Sequence, residues 1–221
     1  AGFGINPESF HVVNIPELTI ETGLKMVLVA VACAAISIIF CMALQGVSKL
    51  YAKFLKNPYI RIVAASAIII VITLFLRTSD YMGAGNNLIE LAVENGQARP
   101  LDFFWKLVLT ALTMRAGFRG GEIVPSFCIG ATFGCIMGHL IGLSPSICAA
   151  AGMAALFCGV TNCPITSILI AFELFGFAGM PYFCTVIAVS YLLSGYQSLY
   201  KAQKIVYSKT ENKYIDRNTT S

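Results

Sequence analysis

The chain has 221 residues, with 15 Lys or Arg against 11 Asp or Glu, so 12% of it is charged and the net charge is +4. Soluble domains are roughly 25% charged, and a mean hydropathy of +0.77 agrees with the deficit. This composition excludes a disordered chain, a coiled coil, an ordinary soluble enzyme and a nucleic-acid binder, and reads as an all-α integral membrane protein.

Residues 1–17 carry Glu8, Glu17, His11 and several loop formers, and read as a loop on the outer side of the membrane. They lack the basic start of a signal peptide, and a chain opening on Ala1 is expected to be a piece of something longer. A membrane domain is expected over 18–195. Its first element lies between Lys25 and Lys49, which enclose 23 uncharged residues. As a helix these are about 34 Å long, enough to cross a hydrocarbon core of roughly 30 Å. Arg61 and Arg77 enclose only 15 residues, about 22 Å of helix and short for a simple span. A short helix over 87–95 follows, with Asn86 and Asn87 as its expected caps. Only eight residues separate Lys106 from Arg115, after which the 50 residues from Ile123 to Phe172 hold no Asp, Glu, Lys or Arg, and another 27 run from Leu174 to Tyr200.

Gly130, Gly134, Gly138 and Gly142 space the long uncharged stretch, and Ser144-Pro145, Cys163-Pro164 and Gly176 to Pro181 divide it. The intervals between breaks are too short for several of them to cross a bilayer. Backbone at membrane depth must be buried in protein or line a polar cavity, and short hydrophobic segments interrupted by Gly and Pro point to the broken, re-entrant helices of a transport site. Lys49, Lys53, Lys56 and Arg61, and the tail residues Lys201, Lys204, Lys209, Lys213 and Arg217, place both regions in the cytoplasm. Residues 196–221 read as a basic, partly amphipathic C-terminal helix and cytoplasmic tail.

The most informative run is Gly120-Gly121-Glu122-Ile123-Val124-Pro125. Paired glycines permit unusual dihedrals and close approach by a ligand. The first amides of the helix that follows have no intrahelical acceptor, and with the helix dipole they suit an anion. Such a terminus holds a halide without a full cation, and conduction requires that the ion also leave.

The same run stands in a wider pattern: G-A-G-N-N-L-I at 83–89, G-G-E-I-V-P at 120–125, G-M-A-A-L-F and a later Pro at 152–164, F-E-L at 172–174 and S-L-Y at 198–200. In this order the motifs resemble the second half of CLC-type chloride channels and proton-coupled anion antiporters, from about Glu17 to Lys209. The resemblance implies a second inverted repeat with broken helices aimed at a central anion, chloride or another halide, with no cofactor. It implies that 120–125 matches the G-x-F-x-P signature, so that amides among Gly121, Glu122, Ile123 and Val124 coordinate the anion, and that Tyr200 contributes its hydroxyl. It also implies a homodimer through helices near 164–175 and 181–194, with Glu173 at the interface, in a bacterial plasma membrane. The gating glutamate and central serine belong to first-half motifs that this sequence does not contain. Ile123 replaces the signature aromatic and Glu122 adds an acid, a feature similar to the fluoride-type bacterial branch.

Glu122 has two readings. It is a first-turn acid stabilised by the helix dipole, or a proton carrier whose neutral form is favoured by burial beside a bound anion. His139, alone among Gly, Met and Leu, reads as a hydrogen-bonded packing residue, and the eight cysteines read as small packing residues. No metal site can be assembled from two His and these Cys. Arg115 and Arg119 either attract anions to a vestibule or snorkel to the interface. Thr161-Asn162 either line a cavity or satisfy backbone at a helix break. Catalytic motifs such as H-E-x-x-H or G-x-S-x-G are absent, so an enzyme is not expected. A membrane scaffold or a transport-incompetent fragment is the competing function.

Overall fold

The computed structural model describes residues 9–200 and 202–219. Residues 1–8, the start of the expected outer loop, lie outside them, as does Lys201. Among the described residues the order is α1 (Ile20–Phe54), α2 (Pro58–Leu76), α3 (Asn86–Val93), α4 (Asp102–Ala116), α5 (Ile123–Ile141), α6 (Pro145–Thr161), α7 (Pro164–Phe175), α8 (Met180–Leu193), β1 (Lys204–Tyr207) and β2 (Tyr214–Asn218).

Local chemistry sets the boundaries. Thr19 and Thr22 cap α1 reciprocally, each hydroxyl accepting the other's amide proton, which satisfies two donors that a helix start leaves open. Proline opens α2, α6 and α7 at a position where its missing N–H is not needed. The divisions expected at Ser144-Pro145, at Cys163-Pro164 and before Pro181 are all helix boundaries. α1, α2 and α5 are long and apolar enough to cross a membrane, whereas α6, α7 and α8 are shorter apolar helices of 17, 12 and 14 residues. α3 begins one residue earlier than expected, and its N-cap is Gly85 in the left-handed region at φ +88°. Asn86 and Asn87 are therefore its first helical residues rather than its caps. Gly85 is needed there for a second reason: a Cβ would stand 3.0 Å from Lys106 Nζ and 2.9 Å from Cys128 Sγ.

The core is organised around α6, which is buried from Ser146 to Thr161. α5 runs antiparallel to it with almost no side chain between the backbones. A Cβ on Gly130 would lie 2.5 Å from the Gly152 carbonyl oxygen, and one on Gly138 would lie 2.8 Å from Pro145 Cα. Without a hydrophobic driving force between helices in lipid, close packing of small residues is what holds such a pair together. The glycines thus leave α5 unbroken, and only Gly142, at φ +65°, ends it. α1 and α8 close round the other faces of α6. α2 stands apart and buries only Ala65.

The expected C-terminal basic helix is corrected. Lys204–Tyr207 and Tyr214–Asn218 pair as an antiparallel hairpin, Lys204 opposite Asn218 and Tyr207 opposite Tyr214. Ile205, Val206 and Ile215 are β-branched and favour extended backbone, and the polar run between the strands supplies the turn. The cysteine reading also needs one correction: six are buried and Cys163 partly so, but Cys184 on α8 is exposed.

Candidate anion site at the start of α5

α4 ends at Ala116, and Gly117 takes the left-handed conformation that turns the chain, at φ +115°. Arg61 of α2 donates from Nε to the Ala116 carbonyl at 2.9 Å, satisfying one of the open acceptors of that helix end. Glu122 is the N-cap of α5, and its carbonyl accepts the first intrahelical bond, from the Ser126 amide at 3.2 Å. Pro125 has no N–H to offer. Among the described residues the amides of Glu122, Ile123 and Val124 donate to no protein acceptor. Space is left open too: a Cβ on Gly121 would meet nothing within 4 Å.

Beside this helix start lies a cavity of about 570 Å³. Gly120, Gly121, Val124 and Pro125 form one wall and Tyr81 and Gly83 of the α2–α3 connection another, and Arg119 also lines it. The connection is held from beneath by Lys106 of α4, which donates to the Tyr81 carbonyl at 3.1 Å and the Gly83 carbonyl at 2.8 Å. Asp102, one turn earlier on α4, accepts from the Tyr81 hydroxyl at 2.7 Å and from the Arg99 amide at 2.9 Å. Both charged side chains are at most 2% exposed, and hydrogen bonding is what makes such burial tolerable.

The expected site residues fall into two groups. Gly121, Glu122, Ile123 and Val124 stand together at the helix start, with Gly121 and Val124 on the cavity wall. The Glu122 carboxylate makes no capping hydrogen bond to the helix start and pairs with Arg115, Oε1 lying 3.3 Å from Nη2. Tyr200 is 44% exposed and is not among the residues that line the cavity. It sits at the same end of the α5–α6 pair, because Leu199 donates its amide to the Val160 carbonyl at 2.9 Å. The Leu199 side chain shares an apolar cluster with Cys41, Ile129 and Val160. A polar net fixes the Tyr200 backbone: its amide donates to Ser198 Oγ at 3.1 Å, its carbonyl accepts from Thr219 Oγ1 at 2.8 Å, and Gln203 bonds the Thr161 carbonyl at 2.8 Å.

The secondary candidates resolve into structural roles. His139 Nε2 is 2.9 Å from the Gly96 carbonyl oxygen, on the surface rather than in the core. Asn162 ends α6 in the left-handed region at φ +55° and donates to the Gln197 carbonyl at 2.7 Å, so it satisfies backbone at a helix break. Lys209 of the hairpin bonds Asn162 Oδ1 and the Tyr191 carbonyl at 2.9 Å, placing a cation at the C-terminal ends of α6 and α8. Burial pushes its ammonium down to about 8. Lys106 and the Arg115–Glu122 pairing escaped the sequence reading. The signal for the second was opposite charges flanking a short inter-helix turn.

Comparison with known proteins gives a consistent picture. The family model described as voltage gated chloride channel matches residues 1–195. A chloride/fluoride channel protein of Pseudomonas syringae pv. tomato is 36% identical over 135 residues, 61% of this chain and 30% of that protein. An H+/Cl− exchange transporter of Vibrio cholerae is 28% identical over 173 residues, 73% of this chain and 36% of that protein. The crystal structure of a CLC-type fluoride/proton antiporter superposes with a TM-score of 0.85 at 31% identity, covering 90% of this chain and 50% of that one. The chain thus spans between about a third and a half of the length of the proteins it matches.

Proposed function

The chain belongs to the voltage-gated chloride channel family, and from that premise we propose that it is the C-terminal half of a protein that moves halide across a bacterial plasma membrane. One observation carries this reading: among the described residues the amides of Glu122, Ile123 and Val124 have no protein acceptor, and they open the helix whose Val124 and Pro125 line a cavity of about 570 Å³. Oriented peptide dipoles at a helix start attract an anion and release it more readily than a formal cation would. Gly121 leaves the approach open, and Tyr200, held at the same end of the α5–α6 pair, adds its hydroxyl as a donor.

Proton exchange is the second part of the proposal. Glu122 places a carboxyl group next to the amides that would hold the anion, which makes it the candidate carrier of the exchanged proton. The names of the relatives supply both fluoride and chloride as substrates to test. α7 supports a homodimer: it buries only Ser167 and Ala171, and leaves Ile165, Leu169 and Phe172 as an apolar stripe. The C-terminal hairpin lies on the cytoplasmic side by its lysines.

The test is anion-driven proton uptake into liposomes by the complete polypeptide that carries this chain, with fluoride and with chloride. Wild type should take up protons with one of the two. Glu122→Gln should keep anion flux and lose the proton movement. Unchanged coupling in Glu122→Gln removes Glu122 from the mechanism, and no flux of either anion in wild type overturns the transport reading.

A further inference from the structure

The wall of the cavity that faces away from α5 is rich in unspent donors and poor in free acceptors. Lys106 engages the carbonyls of Tyr81 and Gly83 and is not itself among the lining residues. In a planar trans peptide the C=O and the N–H that follows it point in opposite directions. The Gly83 carbonyl faces Lys106, so the Ala84 amide faces the other way, and Ala84 lines the cavity. Among the described residues that amide has no protein acceptor.

Ser66, Tyr81, Thr110 and Thr113 bring hydroxyls to the same cavity. Ser66 and Thr113 spend theirs on carbonyls of their own helices, at 2.8 Å and 2.7 Å, and Tyr81 donates to Asp102. Thr110 differs: it is only 7% exposed and makes no hydrogen bond among the described residues. Its hydroxyl is not sealed by packing, because Arg115 Nε is the one buried side-chain polar atom there that is both enclosed and unpartnered. It therefore opens on the cavity that Thr110 lines. Arg119 is the one charged residue among those lining this cavity; it is exposed and has no ion pair, hydrogen bond or ring contact among the described residues.

We propose that this wall is a second halide site, with the Ala84 amide, the Thr110 hydroxyl and the Arg119 guanidinium as its ligands. Donors without competing acceptors complement an anion. A metal cation would need oxygen ligands, but the Tyr81 and Gly83 carbonyls are turned to Lys106 and Arg119 repels it. Ile69, Leu109 and Met114 make the rest of the wall apolar, which suits a small monovalent guest with little hydration. Lys106 is a positioning residue here: it touches no halide and fixes the peptide that does. The inference deepens the anion site proposed above. A second halide across the cavity from the start of α5 repels the first, and neighbouring sites of this kind let ions bind and still leave.

Binding of sodium fluoride and sodium chloride to the complete, detergent-purified polypeptide that carries this chain is followed by calorimetry, and thermal unfolding is measured without halide. Wild type should bind at least one of the two salts. Thr110→Val keeps the shape of the side chain and should weaken that binding by on the order of tenfold, the loss of one hydrogen bond to a charged group. Its melting temperature should not fall, since the hydroxyl it removes has no partner in the protein; Thr110→Ser should bind as wild type does. Arg119→Gln should weaken binding to a similar degree, and as an exposed position it carries the test if Thr110→Val does not fold. If wild type binds neither halide, the site at α5 fails together with this one. If wild type binds one, but Thr110→Val or Arg119→Gln keeps its affinity or Thr110→Ser is as weak as Thr110→Val, the second site is overturned while the site at α5 stands.

Discussion

Gly134 on α5 and Cys148 on α6 touch backbone to backbone: a Cβ added at Gly134 would lie 2.2 Å from the Cys148 carbonyl oxygen. That atom cannot move without bending a buried helix, so the pair fixes how closely the two helices pack. Gly134→Ala should destabilise the protein by about 3 kcal/mol or more, at or beyond the upper end of ordinary overpacking. Gly23→Ala is the contrast, because a Cβ there meets nothing within 4 Å and alanine is the better helix former by about 1 kcal/mol. Thermal unfolding in detergent should show a large fall for the first and none for the second.

Lys106 makes the α2–α3 connection a defined wall of the cavity. Its ammonium satisfies the carbonyls of Tyr81 and Gly83. Lys106→Met keeps the length of the side chain but leaves both acceptors unpaired, at a cost of about 2–4 kcal/mol. Reduced melting temperature together with faster hydrogen exchange over 81–85 is the expected result.

Lys209 titrates in an accessible range. Burial holds its ammonium at about 8 against an ordinary 10.5, so between those values the folded chain binds fewer protons at this position than the unfolded chain. Stability contributed by the residue therefore rises with pH across that window and is lost as pH falls through 8. Melting temperatures measured from about pH 7.5 to about pH 10 should rise more steeply in wild type than in Lys209→Met.

Tyr182 ties the segment before α1 to α8. Its hydroxyl lies 3.1 Å from the Pro16 carbonyl oxygen, 3.0 Å from that of Glu17 and 3.2 Å from Thr22 Oγ1. Tyr182→Phe removes these bonds and should cost about 1 kcal/mol. Limited proteolysis should then cut between residues 9 and 18 more quickly, with the membrane helices untouched.

Much of this architecture was legible because lipid restricts what a chain can do. Charge gaps marked α1 and α2, and proline marked the starts of α6 and α7, since a missing N–H is tolerated at few places. The helix start at 122–123 followed from two glycines and a long uncharged run. The hairpin at 204–218 was hidden because its lysines suggested a surface helix, while Ile205, Val206 and Ile215 carried the opposite preference in very short segments. The role of Lys106 was hidden for a different reason. A lysine between apolar residues looks like an interruption, and only the folded chain brings the carbonyls of Tyr81 and Gly83 to it. Arg115 was visible as a charge near Glu122, but the turn at Gly117 that joins them depends on a left-handed residue whose conformation the sequence does not display.

α6 is enclosed from Ser146 to Thr161, and a segment so surrounded has no face adapted to acyl chains. Its route during biosynthesis is therefore constrained. Left alone after release from the ribosome, it would present Ser146, Thr161 and a row of alanines to lipid with little to anchor it. α5 and α6 should instead be handed to the bilayer as one preassembled pair, so maturation waits on the translation of Thr161 and not on that of Ile141.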